Sequence, residues 1–299
     1  MKFTSDSPKI LVVGSCSIDL VLNTERFPML NDTVMATKSE YFFGGKGANQ
    51  AVATSRLGAS VYLISCVGMD PSGQQILRNL VDEGVNVGFV AETEEASSGS
   101  AYVTASGGEN SIVVVPAANY MLKPSHIDIA ERLFQTADLV LVQLEIPMGV
   151  VEHTVGMAKK HNKKVVIYAA PAARLSENIL QKADFIVAKS SELSLVFGTE
   201  NRDDLLVKNP NKLFVRDDTN STTYFNGSEM RYFRKDYEEK SNKMGMGDAF
   251  TSGFSIAYCH RNSIDDCVKF GNEISFKVSQ IRGSQKGLPQ LSEMIEIRS

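Results

Sequence analysis

The sequence is poor in cysteine and histidine, has no long apolar run, and carries little net charge. Each scarcity excludes a class of protein. The four cysteines, Cys16, Cys66, Cys259 and Cys267, show no C-x-x-C spacing and no paired framework. That excludes a disulfide scaffold and makes a reducing cytoplasm the expected compartment. The four histidines, His126, His153, His161 and His260, are scattered without metal-ligand spacing. Cys259 and His260 are adjacent, but neighbours on a helix point to different faces. No apolar run approaches the roughly 18 residues of a membrane span. The opening MKFTSDSPK is too polar for a signal peptide. A net charge of −4 gives no reason to expect nucleic acid or an acidic membrane surface as partner. The expectation is a soluble intracellular protein.

What is present is a chain of 299 residues, 43% of them hydrophobic, enough for one large domain or two ordinary ones. Short apolar runs, ILVVG, VYLISCVG, LVLVQLE, KVVIYAA, DFIVAKS and KLFVRDD, alternate with helical patterns. Runs without in/out alternation predict strands buried on both faces of a parallel sheet. Between them, SGQQILRNLVDEG predicts a helix with Ser72 as N-cap and Gly84 as its stop. SHIDIAERLFQTA and MGVVEHTVGMAKKHN predict two more helices. The pattern is strand–helix–strand, hence a layered α/β domain. Two segments break it. Residues 19–43 read as extended pieces, and residues 100–118 as a hairpin turning at Ser106-Gly107-Gly108-Glu109. They form either a small second sheet over a ligand or an antiparallel edge on the main one.

Three local patterns carry chemistry. In EYFFGGKGANQAVATSRLG, residues 40–58, glycines cluster just before a helix, where backbone N–H groups often meet an anion. The dinucleotide pattern GxGxxG fails at Gln50, and the phosphate-loop pattern GxxxxGK[ST] fails at Gly47. Near the C-terminus, KMGMGDAFTSGF sets Gly245, Gly247 and Asp248 at a helix start. There N–H groups suit charge on a transferring phosphoryl group and a carboxylate could take a hydroxyl proton. The simpler alternative is that Asp248 is only a helix cap. Glu145 in VQLEIP and Asp19 in GSCSID follow predicted buried strands, and in open α/β sheets ligands collect beyond the carboxyl ends of strands. Asp19, the GGKG turn, Asn49, Glu145 and Asp248 are therefore compatible with one polyol-sized ligand.

FGGKGANQAVA (43–53), GSCSID, CVGMDPSG (66–73), QLEIP (143–147) and GMGDAF (245–250), in that order, resemble the ribokinase-like branch of the PfkB carbohydrate kinase family along nearly the whole chain. The resemblance implies a three-layer ribokinase-like α/β fold: a central, mostly parallel sheet flanked by helices, with a small β-sheet lid. It implies a single domain over residues 1–299, lid strands inserted at about 19–43 and 98–118, and a homodimer joined through the lid. It also implies transfer of a phosphoryl group from ATP, with Mg2+, to a sugar hydroxyl. Asp248 would be the catalytic base, and Gly245, Met246 and Gly247 the anion hole. Ser17, Asp19, Gly44, Gly45, Lys46, Asn49 and Glu145 would bind the sugar. Lys189, Arg216 and Asn272 would contact the nucleotide, and Glu192 would hold the metal through water.

The sequence departs from the family pattern in four places. Ser17 stands where an Asn is usual, and KSSE puts Lys189 at the Asn of N-x-x-E while keeping Glu192. VRDDTN (215–220) has no glycine where T-x-G-x-x-G is expected. NKMGMGD has Asn242 in place of a carboxylate tied to monovalent-cation binding, which argues against a potassium requirement. Ser17 leaves a nucleoside or keto-sugar acceptor open. The altered nucleotide motifs leave open a sugar-binding pseudokinase.

Overall fold

The computed structural model describes residues 1–4, 6–198, 201–235 and 243–296. Strands are numbered β1 Lys9–Val13, β2 Ser17–Thr24, β3 Ala36–Gly44, β4 Ser60–Gly68, β5 Val85–Thr93, β6 Gly99–Ser106, β7 Glu109–Val115, β8 Leu139–Gln143, β9 Lys164–Tyr168, β10 Phe185–Lys189, β11 Leu213–Arg216, β12 Ser221–Phe225 and β13 Met230–Arg234.

Among these residues nine strands form the central sheet, in the order β13-β12-β11-β10-β9-β8-β1-β4-β5. The pairings from β11 to β5 are parallel, while β12 and β13 close one side antiparallel. All six apolar runs are strands of its parallel part, as both-face burial requires. Alternate residues of one strand feed two cores. Ile10 and Val12 of β1 pack with the helices Lys46–Arg56, Met246–Cys259 and Ile264–Ser279, whereas Leu11 and Val13 pack on the opposite face with Met148–Lys160. The result is helix layers on both faces of one sheet.

The two irregular segments meet. β2 pairs antiparallel with β3 and parallel with β6, and β6 pairs antiparallel with β7, giving a separate small sheet in the order β3-β2-β6-β7. The hairpin turns where expected, because Gly107 and Gly108 both take positive φ, as a two-residue turn matched to strand twist requires.

Two local expectations are corrected. The helix Pro71–Asp82 is capped by Asp70, not Ser72: Asp70 accepts from the Gly73 N–H at 2.7 Å, with Pro71 in the first turn. The same carboxylate accepts from the Ser98 N–H at 2.7 Å, tying this helix to the approach to β6. The helix expected over 125–137 is two short ones, Pro124–Ile129 and Glu131–Thr136. At the break, the Ala130 N–H turns to the Ile127 carbonyl at 3.1 Å, an i−3 bond that tightens the turn and breaks the helical register.

Candidate active site

A cavity of about 490 Å³ opens between the carboxyl edge of the central sheet and the small sheet. The central sheet supplies its polar wall. Ser15 follows β1, Glu145 follows β8, and Tyr168, Lys189 and Arg216 end β9, β10 and β11, the crevice position of open α/β sheets. The small sheet supplies an apolar wall, Ala101 and Val103 from β6 and Ile112, Val114 and Val115 from β7.

The glycine turn is a packing device, and the anion it meets is a protein carboxylate. A Cβ at Gly44 would lie 2.3 Å from the Asp19 carboxylate, one at Gly45 2.6 Å from Cys16 Cα, and one at Gly47 2.5 Å from the Gly14 carbonyl carbon. Gly45 also has φ +87°, which disfavours any side chain. Close approach brings the helix Lys46–Arg56 against the end of β1. The Lys46 N–H then donates to Glu145 Oε2 at 3.0 Å, and Ser15 Oγ donates to the same oxygen at 2.5 Å. Lys46 Nζ lies 3.5 Å from Glu145 Oε1. Burial pulls the Lys46 ammonium toward neutrality, but the Glu145 and Asp248 charges outweigh it and hold its pKa above the ordinary value.

Asp19 is buried beside this pair and accepts from Ser17 Oγ at 2.9 Å. Burial pushes its pKa up to about 6; the Ser17 bond opposes the rise and the Glu145 charge adds to it. Asn119 clamps the intervening backbone, accepting from the Cys16 N–H and donating to the Cys16 carbonyl, both at 2.8 Å.

Asp248 is not a helix cap. Gly245, at φ +75°, caps the helix Met246–Cys259, and Asp248 is its third residue. The buried carboxylate accepts instead from Asn49 Nδ2 at 3.0 Å and Gln50 Nε2 at 3.1 Å. Gln50 Oε1 accepts from Gln143 Nε2 at 2.7 Å, and Asn49 Oδ1 from Gln285 Nε2 at 3.1 Å. Burial raises the Asp248 pKa to about 6, against the lowering pull of Lys46 and Asn49. Asp248 thus remains mostly ionised at neutral pH yet basic enough to take a proton.

Ser17, Asp19, Gly45, Lys46, Asn49, Glu145, Lys189, Arg216, Gly245, Met246, Gly247 and Asp248 all line the one cavity. Three other expected site residues do not line it. Gly44 only makes room for Asp19. Asn272 is spent on structure, accepting from Thr222 Oγ1 at 2.8 Å and donating to the Phe233 carbonyl at 3.1 Å. Glu192 lies behind Lys189, with Oε1 3.7 Å from Lys189 Nζ. Arg216 shores up the helix start, donating to the Met246 carbonyl at 3.1 Å while its guanidinium stacks 4.5 Å from the Phe250 ring. Asn242 falls outside the described residues. Gln50, Gln143, Gln285, Asn119 and Tyr168 were not legible as site residues, since their partners lie far along the chain.

A family model described as "pfkB family carbohydrate kinase" matches residues 7–291. Ribokinase of Bacillus subtilis (strain 168) is 32% identical over 290 residues, covering 97% of this chain and 99% of that protein. Ribokinase of Lactococcus lactis is 31% identical over 291 residues, covering 96% of this chain and 95% of that one. Among solved structures, a ribokinase from Thermotoga maritima superposes with TM-score 0.84 at 26% identity, covering 96% of this chain and 98% of that chain. Arabidopsis thaliana ribokinase, solved with ribose and ATP, shares the fold with TM-score 0.87 at 24% identity, covering 98% and 99% of the two chains.

Proposed function

Since this chain belongs to the pfkB family of carbohydrate kinases, and is a phosphotransferase with an alcohol acceptor, we propose that it moves the γ-phosphoryl group of ATP to a primary hydroxyl of a sugar such as D-ribose. The observation that carries this is a buried carboxylate, Asp248, beside the glycine-framed start of a helix in a polyol-sized cavity. Asp19, Lys46, Asn49 and Glu145 line the sugar end and fix its hydroxyls. Asp248 takes the proton of the attacking hydroxyl, whose oxygen bonds to the γ-phosphorus as the bond to the ADP oxygen breaks. ADP leaves with that electron pair, and the N–H groups around Gly245, Met246 and Gly247 receive the charge on the transferring group.

Magnesium fits the residues present in one way. Glu192 Oε2 is buried without a hydrogen-bond partner among the described residues, and those residues include no cluster of three or more His, Cys, Asp or Glu for a metal. Glu192, set back from the cavity beside Lys189, would therefore hold the ion only through water. When bound it neutralises triphosphate charge.

The small sheet serves as a lid on a single domain. Ile112, Val113, Val114 and Val115 of β7 are all at least 40% exposed, and β7 is an edge strand. An apolar edge of this kind fits the lid of a second copy, so a homodimer is the proposed state. Four free cysteines fit a reducing cytoplasm.

One observation favours a second reading, a sugar-binding protein without turnover. Asp217 and Asp218 line the cavity beside Lys189, bringing negative charge near the proposed path of the phosphates. ADP release across a panel of sugars and nucleosides separates the two. Release with a pentose supports the kinase; none with any acceptor supports the binding protein.

A further inference from the structure

Tyr168 has no role in the scheme above, yet it stands at its centre. It ends β9, is only 5% exposed, and lines the cavity. Its ring lies under Lys46, with Nζ 5.7 Å from the ring centroid. Its hydroxyl reaches the helix start: a Cβ placed on Gly247 would lie 2.0 Å from Tyr168 Oη. The absence of a side chain at Gly247 is therefore what admits the phenol to this spot. Among the described residues no hydrogen bond satisfies that hydroxyl, and both Tyr168 and Gly247 line the cavity.

We propose that Tyr168 is a further catalytic residue, whose hydroxyl donates a hydrogen bond to an oxygen of the transferring phosphoryl group beside Gly247. The assignment rests on the kinase reading and deepens it. The position is the junction of the two halves of the site, since Tyr168 feels the charges of Lys46 and Asp248 on the sugar side and of Arg216 and Glu192 on the nucleotide side. The phenol is a donor throughout the working range, because burial foremost pushes its pKa up to about 12. In the transfer step it neither gains nor loses a proton. The acceptor proton goes to Asp248, the new bond joins acceptor oxygen to phosphorus, and Tyr168 offsets charge on a non-bridging oxygen. Lys46 above the ring keeps the phenol in place without competing for its hydrogen.

The test is Tyr168→Phe, which keeps the ring, the Lys46 contact and the packing on Gly247. Loss of one preorganised donor to a developing charge typically costs about 10²-fold in rate. The expected result is a fall in kcat of at least about tenfold with the acceptor KM unchanged. A structural residue would instead shift KM and thermal stability. The second measurement is binding of ADP, magnesium and aluminium fluoride with D-ribose, a mimic of the phosphoryl group in flight. Tyr168→Phe should weaken the mimic by a similar factor while leaving ADP with D-ribose unchanged. Equal affinity of both proteins for the mimic, or a kcat within about threefold of wild type, overturns the assignment. So does a faster Tyr168→Asn, which would make the ring an obstruction. A wild type without turnover overturns the kinase reading and the Tyr168 assignment with it, whereas turnover that Tyr168→Phe leaves intact overturns the assignment alone.

Discussion

Replacing Asp248 by Asn removes one negative charge from the middle of the site while keeping the side chain's shape. The rate should fall by about 10²–10⁴-fold, the usual worth of a general base, with D-ribose affinity nearly intact. The same variant should be more stable than wild type. Burial raises the carboxyl from 3.8 to about 6, and at about 1.4 kcal/mol per pH unit the charged form is disfavoured by about 3 kcal/mol in the folded state. Asn avoids that penalty and can keep both hydrogen bonds. It accepts from Asn49, and its amide donates to Gln50 once the Gln50 and Gln143 amides both flip. That reversal costs no bond, because Gln143 Oε1 is already buried without a partner among the described residues. A net gain of about 1–3 kcal/mol at pH 7 follows. The sign fixes the pH window. Below about pH 4 the carboxyl is neutral in both states; as pH rises toward about 6, the unfolded chain releases its proton first and wild-type stability falls. The gain should thus be present at pH 7 and shrink near pH 4. Urea unfolding of both proteins at the two pH values is the assay. A variant less stable than wild type at pH 7, or one keeping more than about a tenth of kcat, refutes the reasoning.

Three other outcomes are expected. Asp19→Ala and Glu145→Ala should each weaken sugar binding by about 1–3 kcal/mol in titration calorimetry, the worth of a charged hydrogen bond; unchanged affinity in both would displace the pocket. The kcat profile should fall about tenfold per pH unit below an apparent pKa near 6, because Asp248 must be ionised to act as base; a flat profile down to about pH 5 would count against it. ATP should bind weakly because the turn 215–220 has no glycine, with little potassium activation because Asn242 stands in place of a carboxylate, but with a continuing need for a divalent ion because Glu192 remains. ATP titrations with and without potassium decide, and a micromolar KM with strong potassium activation would contradict it.

The sequence displays the parallel strands because both their faces are buried, so runs such as LVLVQ of β8 contain almost no polar residue. It hides β5 and β13, edge strands with partly exposed, mixed patterns. Asp70 is hidden as a cap because its carboxylate serves two segments, its own helix and Ser98, which local pattern does not link. Asp19, Lys46, Asn49, Glu145 and Asp248 are legible from their motifs. The amides that orient them are not, since Gln143 meets Gln50 across 93 residues and Gln285 meets Asn49 across 236. The glycine turn shows the same limit: its spacing signals a helix start near an anion, but only the fold reveals that Glu145 is that anion. Tyr168 reads as the last residue of a buried strand until Gly247 is seen against its hydroxyl.

In the proposed reaction a sugar hydroxyl held in this cavity takes a phosphoryl group with Asp248 as base. Phosphorus NMR of ATP, magnesium and D-ribose with the full chain tests it directly. A new phosphomonoester resonance from a primary carbon should grow in step with ADP and be absent with Asp248→Asn. No such resonance from D-ribose or any other sugar or nucleoside, while calorimetry still shows sugar binding, would contradict it.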